Sequence, residues 1–146
     1  MVDLVITGDR VITPTGTRQA AVAVKDGRIA GISDVANAPR AKRTIDTTGK
    51  IVFPGIVDPE CHLGTRRPFK DSLLSETRAA AAGGVTTWGI QQSSAKVRKV
   101  YIDEPRPEDI VPFSQVMPEC IEQVERYSVV DCWLTGFITT DEQALD

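Results

Sequence analysis

Apolar positions recur along this chain in two rhythms: short alternating runs at first, then longer apolar runs separated by one clear helical stripe. Val2 to Thr7, reading Val-Asp-Leu-Val-Ile-Thr, is rich in β-branched residues and predicts a strand. Gly8-Asp9 signals a turn, and a short strand resumes from Arg10 to Thr13. Pro14-Thr15-Gly16 is the next turn, and Gln19 to Lys25 is a third strand. Asp26-Gly27 is a two-residue hairpin signal that needs positive φ, and Arg28 to Ser33 is the returning strand. The expectation is a small antiparallel sheet. Such a sheet buries one face only, so the remaining strands of a sandwich are expected from elsewhere. Asn37 to Arg43 reads as a polar connector, and Thr48-Gly49-Lys50 as a turn before the apolar run Ile51 to Phe53.

Beyond that run the rhythm changes. Asp71 to Ala82 carries Leu73, Leu74, Thr77, Ala80 and Ala81 at helical spacing, with Asp71 or Ser72 available as the N-cap. Gly83-Gly84 ends this helix, and Val85 to Ile90 follows as a buried strand. Strand, helix and strand in this order predict a right-handed βαβ unit, its first strand lying at Pro54 to Gly64. Gln91 to Pro118 is polar and holds four prolines, so it reads as a surface excursion or a lid at the C-terminal end of the second strand. Glu119 to Tyr127 predicts a second helix with Ile121 and Val124 inward, and Val129 to Thr139 a third strand. Thr140 to Gln143 resembles the cap and first turn of a third helix, which the sequence does not complete.

Charge and composition narrow the function classes. A net charge of -3 argues against a nucleic-acid or anionic-membrane partner, and no apolar run is long enough to span a bilayer. The start, Met1-Val2-Asp3-Leu4, lacks the pattern of a secretory signal. Three irregularly spaced cysteines, Cys61, Cys120 and Cys132, fit reduced thiols in a cytoplasmic protein better than a disulfide framework.

The chemistry concentrates in Asp58-Pro59-Glu60-Cys61-His62, which holds the only histidine. In a regular strand alternate side chains share a face. Asp58, Glu60 and His62 are therefore expected in one column, with Cys61 on the opposite side. Two carboxylates and an imidazole in a column can bind a divalent metal or move protons. His62 is the candidate metal ligand through a ring nitrogen. Glu60 is either a second ligand, suiting manganese or magnesium better than an imidazole would, or a general base without metal. Asp58 either joins the column or acts as a buried hydrogen-bond partner that positions the strand end. A Cys61–His62 nucleophilic pair is disfavoured, because alternation points the two apart. Arg66 and Arg67 follow directly and are candidates to bind an anionic or carbonyl group of a substrate, or else to be solvated.

The stretch Pro54 to Gly64 resembles the first barrel strand of the amidohydrolase superfamily, whose pattern is P-G-x-x-D-x-H-x-H-L. Glu76 to Thr87 is similar to the first barrel helix and second strand of the hydantoinase and dihydropyrimidinase branch, the cyclic amidohydrolases. One position departs: Glu60 stands where the family has histidine. The resemblance implies an α/β chain in which residues 1–50 form part of a small β-sandwich. Residues 51–146 would form the first three strand-helix units of a TIM-type (β/α)8 barrel. A complete barrel takes about 250 residues, so a companion polypeptide is expected to supply the remaining strands, in an oligomer. The implied activity is hydrolysis of a cyclic amide or imide C–N bond by metal-activated water, on a small cyclic amide substrate. The expected metal is zinc, with manganese, cobalt or none as alternatives. The resemblance also admits a second class: relatives of dihydropyrimidinase that have lost the metal site and serve as scaffold or assembly proteins.

Overall fold

Strand β1 (Val2–Thr13) runs for 12 residues without the break expected at Gly8-Asp9. Its pairing with β2 (Gly16–Lys25) slips between Gly8 and Val11, so the Gly8-Asp9 signal marks a bulge within one strand. A Cβ on Gly8 would sit 2.5 Å from the Thr47 hydroxyl, so only glycine lets that loop close against the strand. The computed structural model describes residues 1–64, 67–93, 111–138 and 141–144, in two compact units, Met1–Pro54 and Gly55–Asp146.

In the first unit, β2 pairs antiparallel with β1 and with β3 (Arg28–Ser33), and Asp26 (φ 50°) and Gly27 (φ 72°) form the expected hairpin turn. The sheet is nevertheless mixed. Strands β4 (Ala41–Asp46) and β5 (Ile51–Val52) both run parallel to β1. The segment expected to be a polar connector is thus partly an edge strand, and its polar pattern is what an exposed edge tolerates. Lys42 on that strand lies 2.7 Å from Asp3 on β1 and holds the Asp3 carboxyl below its usual range. Small apolar clusters lie on both faces: Val5, Ala21 and Ala23 on one, Val11, Ala20 and Val22 on the other.

In the second unit three strands, β6 (Ile56–His62), β7 (Val85–Ser93) and β8 (Asp131–Phe137), are parallel and in sequence order. Helix α1 (Phe69–Ala82) links the first two, α2 (Phe113–Tyr127) precedes the third, and a short α3 (Asp141–Ala144) follows it. α1 begins two residues before Asp71, at a Pro68 cap with no side-chain cap bond, so neither Asp71 nor Ser72 caps it. Asp71 instead lies in the first turn, where its charge favours the helix dipole. The buried line is Phe69, Ser72, Leu73 and Thr77, while Leu74 and Ala81 turn outward. Gly83 and Gly84 (φ 92°) end the helix as expected.

α2 starts earlier than its apolar pattern suggested and accommodates Pro118. Its inward stripe is Val116, Cys120 and Val124, whereas Ile121 is 49% exposed, one step off that line. The core is Leu63, Phe69, Leu73, Ile90 and Cys120, with Cys61, Trp88, Cys132 and Leu134 packed against it from the sheet. Most of the Gln91–Pro118 excursion, residues 94–110, lies outside the described residues. Among the described residues no helix is long and apolar enough to cross a membrane.

Candidate active site

The chain leaves β6 at His62 and turns through Gly64 (φ 75°) toward α1. At this end the expected alternation fails. Asp58 pairs with Trp88 and Cys61 with Ile90, so three steps along β6 match two along β7. The extra residue is a bulge at Pro59-Glu60, a position proline tolerates because the ladder there needs no N–H from it. The bulge pushes the Pro59 carbonyl against Gly89, where a Cβ would collide with it and lie 2.6 Å from the Trp133 ring.

The consequence is a split column. Trp88 and Ile90 are two apart on one strand and share the helix-facing side, so their partners Asp58 and Cys61 lie on that side as well. Asp58 therefore does not share a face with Glu60 and His62, contrary to simple alternation. Its carboxylate is held at both oxygens: the Trp88 indole N–H donates to Oδ2 at 2.9 Å, and the Glu60 backbone N–H donates to Oδ1 at 3.2 Å. His62 pairs with Gln91, whose strand neighbour Gly89 lies under Trp133, so the imidazole belongs to the face away from the helices. There His62 Nε2 lies 3.6 Å from Glu60 Oε1.

Cys61 points into the core. Burial first, then the Asp58 charge and Cys132, push its thiol up to about 12. Cys132 is raised as well, again chiefly by burial. Both are neutral packing thiols at ordinary pH, which removes the Cys–His pair as a nucleophile. Cys61, Cys120 and Cys132 form no disulfide with one another.

A cavity of about 260 Å³ opens beside the strand end, lined by His62, Cys61, Arg67, Ser72, Glu76 and Trp88 among others. Arg67 lies at this cavity with its guanidinium 3.5 Å from Glu76 of α1. Arg66 lies outside the described residues. Trp88 and Gly89 were not singled out in the sequence, although Pro59 inside a strand was a signal for a bulge.

The donor set bears on whether a metal fits. A tetrahedral zinc with bonds of about 2.0–2.2 Å places neighbouring donor atoms about 3.3 Å apart, close to the Glu60–His62 spacing. An imidazole nitrogen and a carboxylate oxygen are both competent ligands. The pair fits one part of a metal site. Among the described residues no third His, Cys, Asp or Glu joins it.

No family model matches the chain. Among curated proteins it is 43% identical over 88 residues to an allantoinase of Streptomyces avermitilis, covering 59% of this chain and 20% of that protein. It is 38% identical over 91 residues to an L-hydantoinase of Paenarthrobacter aurescens, covering 60% and 19%. It is 43% identical over 89 residues to a dihydroorotase of Solibacter usitatus, covering 58% and 20%. A crystal structure of D-hydantoinase superposes on 98% of this chain and 29% of its own, with a TM-score of 0.70 and 28% identity. The chain thus spans about a fifth of the length of the curated relatives it matches. Likeness in sequence over some three-fifths of the chain, and in fold over nearly all of it, makes this protein similar to the N-terminal region of hydantoinase-like amidohydrolases.

Proposed function

We propose that this chain is the N-terminal part of a hydantoinase-like enzyme that hydrolyses the C–N bond of a cyclic amide or imide. In this reading its parallel strands are the first of a TIM-type barrel, and the remaining strands come from further polypeptide. The observation that carries the proposal is the Glu60–His62 pair, 3.6 Å apart at the C-terminal end of β6, in a chain similar to an allantoinase, an L-hydantoinase and a dihydroorotase. Strand ends of this kind are where barrel enzymes place their chemistry.

His62 and Glu60 would hold a divalent ion, zinc or manganese, with further ligands supplied outside the described residues. When bound, such an ion lowers the pKa of a coordinated water and polarises the substrate carbonyl. Where Glu60 does not ligate the ion, its carboxylate would instead accept the proton of the attacking water and return it to the departing ring nitrogen. Arg67, just past the same strand end, would meet a carbonyl or anionic edge of the ring once it exchanges Glu76 for substrate. Arg66, the next residue back, is proposed for the same role.

The test uses the purified full protein with its natural partners. Metal is measured by elemental analysis, and hydrolysis is assayed on hydantoin, allantoin and dihydroorotate. Glu60→Ala and His62→Ala are expected to lose bound metal and to lower turnover by about 100-fold or more, as removal of a catalytic acid–base group does. Full activity in His62→Ala would remove the proposal. One feature favours a second reading, a non-catalytic scaffold: Glu60 stands where the family pattern has histidine. An assembly that is both metal-free and inactive on all three rings would select it.

A further inference from the structure

The Pro59-Glu60 bulge is what separates Glu60 and His62 from Asp58 on β6, and Asp58 pins it from two sides. Asp58 accepts the Glu60 backbone N–H on one oxygen, closing a short side-chain turn across the bulge. Its other oxygen accepts the Trp88 indole N–H from the neighbouring strand. Trp88 is in turn wedged into the core beside Cys61 and Ile90. The carboxylate is thus a strut between a rigid ring and the backbone of a candidate ligand.

We propose that Asp58 and Trp88 form a positioning pair that sets the spacing of Glu60 and His62, and through it the affinity of that pair for a divalent metal. The metal clause rests on the reading given under Proposed function; the positioning clause does not. Three observations carry the inference. Both Asp58 oxygens are engaged, each by a different N–H donor. The bulge is the point at which Asp58 and Glu60 part to opposite faces. Gly89 provides the space the displaced Pro59 carbonyl occupies, and it cannot by itself fix where Glu60 points.

The chemistry of the carboxylate makes the pair separable from general packing. A carboxylate accepts at both oxygens, whereas a carboxamide accepts at one and donates at the other. In Asp58→Asn one of the two N–H donors must face an NH2 group. If the amide oxygen keeps the Glu60 N–H, the NH2 meets the Trp88 N–H. Trp88→Phe removes that opposing donor while keeping an aromatic ring in the core. Either substitution breaks the same strut, so the two losses should not add.

The experiment titrates zinc into the metal-free full protein against a chromophoric chelator, for wild type, Asp58→Asn, Trp88→Phe and the double variant. Loss of a group that orients a metal ligand typically weakens binding by about 10- to 100-fold, and that loss is expected for Asp58→Asn. Trp88→Phe, which frees the other end of the strut, is expected to weaken binding as well, and the double variant to bind zinc at least about fivefold more tightly than the two single losses multiplied together would give, a coupling within the usual range for contacting residues. A merely structural role would make two core-weakening changes add. Zinc affinity in Asp58→Asn within twofold of wild type, or a double variant whose loss equals the two single losses multiplied together, would overturn the proposal. Crystal structures of metal-free wild type and Asp58→Asn give the second readout: the Glu60–His62 spacing is expected to open in the variant. An unchanged spacing overturns the positioning pair whether or not the wild type binds zinc. A wild type that binds no zinc, with the spacing opened in the variant, sinks only the metal reading.

Discussion

Gly89→Ala is the substitution through which the bulge is most directly challenged. A Cβ there would overlap the Pro59 carbonyl oxygen, lie 2.7 Å from the Pro59 carbonyl carbon and 2.6 Å from Trp133 Cζ2. The ring can shift, but the carbonyl belongs to the bulge that Asp58 pins and Glu60 follows. Overpacking of a tight site costs about 1–3 kcal/mol, and a backbone collision belongs at the upper end, about 3 kcal/mol. Alanine restricts the unfolded chain more than glycine does, which returns about 0.5–1 kcal/mol. The expected net loss is about 2 kcal/mol. Gly31→Ala in β3 is the control, because its Cβ would meet nothing within 4 Å, and it should be neutral or slightly stabilising. Urea unfolding of the full protein, followed by the fluorescence of Trp88 and Trp133, gives both values. A Gly89→Ala variant within about 0.5 kcal/mol of wild type, the ordinary range for harmless surface changes, would refute the close-approach argument.

Further outcomes can be checked with less effort. Because burial raises the Cys61 thiol from 9.0 to about 12, it stays neutral and should react with a thiol reagent at pH 7.5 far more slowly than a free cysteine; mass-spectrometric mapping showing free-thiol rates would contradict this. The linked stability has a definite sign. A thiol whose folded pKa is raised favours the fold fully below about pH 9 and loses that contribution as pH climbs from 9 toward 12, so unfolding midpoints should fall across that window and fall less in Cys61→Ala. Thr77 is fully buried, donates to the Leu73 carbonyl at 2.6 Å and accepts the Val129 N–H at 3.3 Å. Thr77→Val keeps the shape but strands the Val129 N–H, which should cost about 1–3 kcal/mol in chemical denaturation; a cost near zero would show that this N–H finds another partner.

Much of the second unit was legible because local rules governed it. Leu73 and Thr77 fall on the inward face of a helix that Gly83-Gly84 ends, since glycine alone adopts the positive φ at Gly84 without strain. The β-branched runs at Val85 and Val5 became strands for the same local reason. The side of the sheet on which Cys61 and His62 fall relative to each other also followed from alternation, because no bulge separates them.

Pairing decided the rest. Alternation placed Asp58 in the column with Glu60 and His62, and it moved to the other face because an extra residue at Pro59-Glu60 is admitted by Gly89 on a strand about 30 positions later. The partner that holds it there, Trp88, is equally remote in sequence, and nothing in the local pattern of either segment names the other. The parallel seating of β4 and β5 on β1 likewise depends on which edge is left open once the hairpins have formed, a property of the assembled sheet. The sequence by itself determined which residue types stand at the end of β6 and the elements that carry them. Only the tertiary structure decided which of them share a face, because register is set across strands, and one inserted residue reverses every side chain beyond it.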